Sequence, residues 1–263
     1  MNVMTIAGFD PSAGAGTLAD IKTISAFGCY GLAAITSLTF QNTQGVFGAE
    51  HQSGQTVAQQ VNALFDDFEI AAIKTGMLPT GEVIEAVAGI LSNRLVAYVV
   101  VDPVVRSTSG YDLIDDQALQ SLIEILFPLA TVVTPNKVEA ERITGIAILD
   151  SDTMKAAAVK ILDFGAKAVL VKGGDMAGDY ATDLLMDANG AIFFREPRIH
   201  STHTHGTGCT LSSALACLLS LGYPLREAVP IAKKYIVEAI RHAPGIGKGH
   251  GPLNHFPPEF DMA

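Results

Sequence analysis

Cysteine is scarce in this 263-residue chain, at three positions only (Cys29, Cys209 and Cys217), and so few thiols exclude a disulfide-stapled scaffold. An odd, small number suits a reducing compartment instead. On one helix Cys209 and Cys217 would lie about 12 Å apart, beyond disulfide reach. Basic runs are also missing: 17 Lys and Arg stand against 27 Asp and Glu, for a formal net charge of −10, so a nucleic-acid or anionic-membrane surface has no electrostatic footprint. Nor is there a long uncharged apolar stretch. The most apolar run, 95–105, is broken by Asp102-Pro103, and the chain opens on strand-like residues without a basic segment and apolar region of a signal peptide. The expectation is a soluble cytoplasmic protein with neither a nucleic-acid nor a membrane partner. Both common nucleotide fingerprints are absent. No G-x-x-x-x-G-K-[ST] occurs, and the glycine-rich stretch 8–16 lacks the G-x-G-x-x-G spacing and the acidic residue some 20 positions on.

What is present is hydrophobic and periodic. Hydrophobic residues make up 49% and charged residues 17%, with a mean hydropathy of +0.33, enough for a sheet buried on both faces. Residues 3–7 read as a strand ending in a Gly-rich loop, and Leu18, Ile21, Ile24 and Phe27 then recur at helical spacing. Further strands are expected over 31–38, 70–73, 96–101, 130–134 and 168–172. Helices are expected around Val57 to Phe65, over 82–91, around Leu119 to Leu126, over 154–164 and over 228–240, the last with a kink or restart at Pro230. Asn189-Gly190 between 181–186 and 191–194 predicts an antiparallel hairpin. Alternating strand and helix without linker or repeat gives the fold class: α/β, one domain over 1–263, a mostly parallel central sheet with helices on both faces and a hairpin at one edge. The Gly/Pro/His-rich stretch 245–258 is the one long irregular stretch, and a loop of that length in such a fold is either disordered or functional.

Chemistry concentrates at 200–221. A polar loop containing Gly206 and Gly208 runs into an Ala/Leu-rich helix whose first turn carries Cys209, so free N–H groups form an anion site and the helix dipole is expected to lower the thiol pKa. Taken alone, the same residues could be a tight turn and a small buried side chain. Asp10, Gln41, Lys74, Asp102, Asn136 and Lys172 each follow a predicted strand closely, and in a parallel sheet those ends share one edge. A thiolate or carboxylate base, an anion hole, a lysine and acidic residues suited to Mg²⁺ are the parts of phosphoryl transfer to an alcohol. Each has a plainer role: Asp10 as a turn cap, Lys172 as a snorkelling lysine, and Asn136 with Glu139 as a capping box. His200, His203 and His205 cluster, but without partnering Cys or carboxylate ligands they do not make a zinc site.

Gly8-x-Asp10-Pro11-Ser12-x-Gly14-Ala15-Gly16, Gln41-Asn42-Thr43, Lys74-x-Gly76-Met77-Leu78, Asp102-Pro103-Val104, Thr134-Pro135-Asn136-x-x-Glu139-Ala140, Lys172-Gly173-Gly174, Thr204-His205-Gly206-Thr207-Gly208-Cys209-Thr210-Leu211-Ser212 and Gly247-Lys248-Gly249-His250-Gly251-Pro252 together resemble the hydroxymethylpyrimidine/phosphomethylpyrimidine kinases of thiamine biosynthesis, of the ribokinase-like superfamily. The resemblance runs nearly end to end, and G-T-G-C in place of the superfamily's G-x-G-D is its most specific mark. It implies a three-layer α/β/α kinase using ATP and Mg²⁺, a homodimer, with Gly8, Asp10, Gln41 and Met77 lining the pyrimidine pocket. It further implies Asn136 and Lys172 facing the ATP phosphates, Asp102 and Glu139 near Mg²⁺, and Gly206, Gly208 and Cys209 supplying anion hole and base. Ala13 stands where the family often has Gly, and Thr17-Leu18 where it often has Ile-Gln. A vitamin B6 kinase on the same scaffold, and a vitamin-binding protein without turnover, are the competing readings.

Overall fold

The computed structural model describes residues 1–106, 110, 112–174, 176, 178–258 and 260. Its central sheet has nine strands in the order β3-β2-β1-β4-β5-β6-β7-β8-β9: β1 Asn2–Phe9, β2 Tyr30–Asn42, β3 Gly45–His51, β4 Ala72–Thr75, β5 Tyr98–Val101, β6 Val132–Val133, β7 Ala168–Val171, β8 Tyr180–Asp187 and β9 Gly190–Pro197. From β2 to β7 the neighbours are parallel. Pairing turns antiparallel at both edges, β3 against β2 and the β8–β9 hairpin against β7.

Side-chain alternation along the strands sorts the core into two layers. Val99, Val101, Val133, Val169 and Val171 face one cluster, closed by α2 (Gly54–Asp67), α3 (Gly81–Asn93), α4 (Asp116–Ser121), α5 (Lys137–Thr144) and α6 (Ser151–Asp163). Val100, Val132, Ala168 and Leu170 face the other, under α1 (Gly16–Ala26), α7 (Thr207–Ser220) and α8 (Leu225–Arg241). Cys29 and Cys217 both lie inside this second layer, with the Cys29 sulfur 3.9 Å from the Ser220 hydroxyl, and all three cysteines are free. Fold class therefore follows the expectation, a ribokinase-like α/β/α arrangement, with β3 as an edge strand not foreseen.

Two local expectations are corrected. Helix α8 runs unbroken through Pro230; the proline is exposed, so its ring has room, and it removes only the one donor that the Arg226 carbonyl would otherwise accept from. The expected helix around Leu119 to Leu126 shortens to α4 and continues as a wider π turn over Leu122–Leu126. Among the described residues no helix is long and apolar enough to cross a membrane.

Candidate active site

The C-terminal ends of β1, β2, β4, β5, β6 and β7 open onto one cleft of about 1110 Å³, at the upper end of the size of small-molecule sites and roomy enough for two ligands. Gly8, Asp10, Gln41, Met77, Asp102, Asn136, Glu139, Lys172, Gly206, Gly208 and Cys209 all line it. Lys74 does not. The alternation of β4 turns its side chain into the core layer under α1 and α7, fully buried, where its ammonium meets Asp20 at 2.8 Å.

Helix α7 starts at Gly206 in the left-handed region (φ +83°) with no side-chain cap. A Cβ there would lie 1.9 Å from the Gly14 carbonyl oxygen, so only glycine lets the loop after β1 close against α7. The N–H groups of Gly208 and Cys209 belong to this first turn and have no intrahelical acceptor. At Gly208 a Cβ would come within 3.1 Å of Lys172 Nζ and 3.4 Å of Asp102 Oδ2, so the missing side chain clears the path between helix and ion pair.

The thiol of Cys209 behaves opposite to the expectation from the helix dipole. Burial pushes its pKa up to about 11, with Lys74 pulling it down and Asp20 and Asp102 adding to the rise. Desolvation of a thiolate outweighs the partial charge of one helix end. The nearby Gly16 N–H also lowers it, so the thiol sits between the first turns of α1 and α7.

Asp10 is spent on its own loop. Oδ1 accepts from the Ser12 N–H (2.8 Å) and hydroxyl (2.7 Å); Oδ2 accepts from the Gly14 and Ala15 N–H groups (3.2 and 2.9 Å) and contacts His205 Nε2 at 2.8 Å. Burial raises its pKa, but the bonds from His205 and Ser12 outweigh this and hold it at about 2. The turn-capping role thus accounts for both of its oxygens. His205 reaches on to Gln41, Nε2 to Nε2 at 3.5 Å. Met77 packs its sulfur over Gly8, where a Cβ would lie 3.1 Å away, and its carbonyl accepts from Thr36 Oγ1 at 2.7 Å. Floor, wall and amide of one subsite are thereby set by the ends of β1 and β2 and the stretch just after β4.

On the other side of the cleft Lys172 Nζ lies 2.9 Å from Asp102 Oδ1 and 3.9 Å from Glu139 Oε2. Burial acts against its charge, yet these carboxylates keep its pKa raised. Asp102 Oδ1 also accepts from Thr134 at 3.0 Å. Asn136 and Glu139 form the expected capping box of α5, and Asn136 bridges Lys172 in parallel register, so the structural role and the place in the cleft coexist. Groups missed in the sequence complete this side. Asp183 accepts from the Gly173 N–H at 2.9 Å and pairs with Lys233 at 2.5 Å. The C-terminal stretch closes the top: Lys248 and Gly249 donate backbone N–H groups to Thr43 Oγ1, and His205 pairs with Pro252. His205 carried a signal, since it stands inside T-H-G-T-G-C; Asp183 and Lys233 carried none.

Residues 10–254 match the family described as phosphomethylpyrimidine kinase. The chain belongs to that family. It is 48% identical over 97% of its length to the thiamine biosynthesis bifunctional protein ThiED of Geobacter sulfurreducens, of which it spans about half (52%). With the hydroxymethylpyrimidine/phosphomethylpyrimidine kinase of Haemophilus influenzae it shares 44% identity over 97% of this chain and 96% of that one. Among solved structures, the pyridoxal kinase from Staphylococcus aureus in complex with AMP-PCP superimposes with a TM-score of 0.91 at 32% identity, covering 98% and 94% of the two chains. One fold is thus shared with relatives named for two kinds of acceptor.

Proposed function

We propose that this chain is an ATP-dependent kinase, one domain over 1–263, that phosphorylates 4-amino-5-hydroxymethyl-2-methylpyrimidine on its hydroxymethyl group and then phosphorylates the monophosphate to the diphosphate. The observation that carries the reading is the meeting, in one cleft, of an amide-bearing acceptor subsite, an uncapped helix N-terminus and a buried lysine. Gln41 offers the donor and acceptor that an aminopyrimidine edge requires, between the Gly8 backbone and Met77. Lys172 and Asn136 face the phosphates of ATP. The N–H groups of Gly208 and Cys209 stabilise the transferring phosphoryl group, and Cys209 Sγ takes the hydroxyl proton. Asp10 and His205 act through the loop they hold.

Asp102 and Glu139 fit Mg²⁺: Asp102 Oδ2 looks toward Gly208 while Oδ1 is engaged by Lys172 and Thr134. Bound there, Mg²⁺ would neutralise charge on the phosphates. In support of the compartment and assembly, free thiols suit a cytoplasmic enzyme, and the family resemblance suggests a homodimer.

Pyridoxal or pyridoxine phosphorylation is the second reading, favoured by the likeness to the S. aureus pyridoxal kinase. ATP consumption measured with each alcohol, with products followed by ³¹P NMR, separates the two. The pyrimidine should be the better acceptor and should end as the diphosphate. Accumulation of monophosphate only, or a clear preference for pyridoxal, sinks the reading. Lys172→Ala should raise the ATP KM or cut kcat while leaving pyrimidine affinity unchanged; an unaltered ATP profile would remove Lys172 from the phosphate site.

A further inference from the structure

The motif Lys74-x-Gly76 has no place in the cleft, and its position inside the sheet needs another explanation. Ala72 of β4 belongs to the core layer under α1, α7 and α8, and the two-residue period puts Lys74 on the same face, in register with Thr5 of β1 and Val100 of β5. Its Nζ lies 3.0 and 2.8 Å from the two oxygens of Asp20 on α1. Asp20 accepts two further bonds, from Thr5 Oγ1 at 2.5 Å and from Ser213 Oγ of α7 at 2.8 Å. Thr5, Asp20, Lys74 and Ser213 are all fully buried. Gly76 makes the space, since a Cβ there would sit 2.8 Å from the ammonium.

A buried ion pair contributes little net stability compared with well-packed apolar residues of the same volume, so core stability does not account for one at this position. What the pair supplies is fixed geometry and a directed field. Ser213 follows Cys209 by one helical turn, and Asp20 follows Gly16 by one helical turn, so these pairs share faces of their helices. The two helices therefore meet at two rungs: the Gly16 N–H stands near the Cys209 sulfur, and one turn on Asp20 accepts a hydrogen bond from Ser213 at 2.8 Å. Lys74 enters from the sheet and fixes the second rung.

We propose that Lys74, locked to Asp20 beneath the first turns of α7, is a positioning residue for phosphoryl transfer: the pair fixes where α7 presents Cys209 and turns its positive end toward the thiol. The charged groups acting around that thiol are Asp20 from α1, Lys74 from β4, Asp102 after β5 and Lys172 after β7. Lys74 exerts the strongest charge effect on it and favours the thiolate, while Asp20 and Asp102 oppose. The proposal rests on the reading that Cys209 removes the hydroxyl proton.

The test uses the full chain with both charges removed together, Lys74→Met with Asp20→Asn, so that no unpaired charge stays buried. With ATP, Mg²⁺ and the pyrimidine alcohol, kcat should fall about 10-fold or more while both KM values stay within about twofold, because the displaced groups touch no substrate. Alkylation of Cys209 by iodoacetamide, read by peptide mass, should slow in parallel. A double variant that alkylates at the wild-type rate or keeps wild-type kcat overturns the proposal. Should the double variant not fold, Ser213→Ala removes the rung without touching a charge: a kcat loss at unchanged KM supports the proposal, and wild-type kcat overturns it. Cys209→Ala run beside these isolates the underlying reading. Wild-type turnover in that variant ends the assignment of Cys209 as base, whereas the alkylation rates, which need no catalysis, still decide what Lys74 and Asp20 do to the thiol.

Discussion

Cys209 meets two opposing effects, and their sizes decide its behaviour. A helix end offers a thiolate at most a couple of kcal/mol, whereas burial has moved this thiol up to about 11. The thiol is therefore protonated at neutral pH, and the thiolate fraction rises about tenfold per pH unit below that value. If thiolate takes the hydroxyl proton, kcat for the alcohol should climb steadily from pH 6 to 9 without the plateau a lowered pKa would give. Cys209→Ala should abolish that slope and cost about 10² to 10⁴ in rate with substrate binding nearly intact. The second transfer starts from a phosphate oxygen already ionised near pH 7, so the same variant should slow diphosphate formation from added monophosphate far less. Equal losses in both steps would make Cys209 part of the anion site alone. Ala13 offers a different kind of check. It stands where the family often has Gly, and it is the described non-glycine residue with positive φ, +56°, a conformation costing an alanine about 1 kcal/mol. Ala13→Gly should leave the hydrogen bonds of its backbone to Asp10 and Lys22 in place and hold stability level or raise it slightly in thermal unfolding, relief of strain offsetting the freer unfolded chain.

At the level of elements, glycines that look alike in sequence carry opposite consequences. Gly89, exposed on α3, would bring a Cβ into open space, so Gly89→Ala should stabilise by about 0.5 to 1 kcal/mol through helix propensity. Gly206→Ala combines a positive φ with a 1.9 Å approach to backbone; it should lower Tm and cut kcat, because the loop holding Asp10 must withdraw from α7. Comparable Tm values for the two variants would mean that the α7 entrance is pliable. Such differences lie beyond what the residue pattern alone reveals. Periodicity revealed the parallel strands and the hairpin because those runs are rich in Val, Ile and Leu. It missed β3, whose seven residues include two glycines and are nowhere fully buried. Strand ends bearing Asp10, Gln41, Asp102, Asn136 and Lys172 pointed to a shared edge, since a parallel sheet leaves no other place for them. Lys74 misled for a physical reason: one residue short of the strand's end, it points into the core, and nothing local tells a lysine buried against Asp20 from one at the rim. Asp183 and Lys233 were invisible because their pairing joins elements 50 residues apart.

For the whole molecule, the C-terminal stretch ties the cleft to global stability. His255 is buried, with Nε2 3.3 Å from Thr210 Oγ1 beside Cys209 and its carbonyl accepting from Tyr235 at 2.7 Å. Burial, with Lys22 nearby, lowers its pKa from 6.5 to about 4. The unfolded chain therefore binds this proton at a higher pH than the folded one. Between pH 6.5 and 4 the unfolded state carries more protons, so stability falls as pH falls, in total by about 3 kcal/mol from this group at 1.36 kcal/mol per unit. Asp10, held at about 2 against an ordinary 3.8, contributes in the next window: its stabilisation is complete above pH 4 and fades as pH drops toward 2, by a further ~2 kcal/mol. Two buried groups thus yield in sequence, His255 first. Denaturant unfolding followed at half-unit steps from pH 7 to 4 should show this decline, and His255→Gln, which keeps a polar partner for Thr210 but cannot titrate, should flatten it. A variant with the same slope as the wild type would place the acid sensitivity elsewhere in the molecule and leave His255 a packing residue.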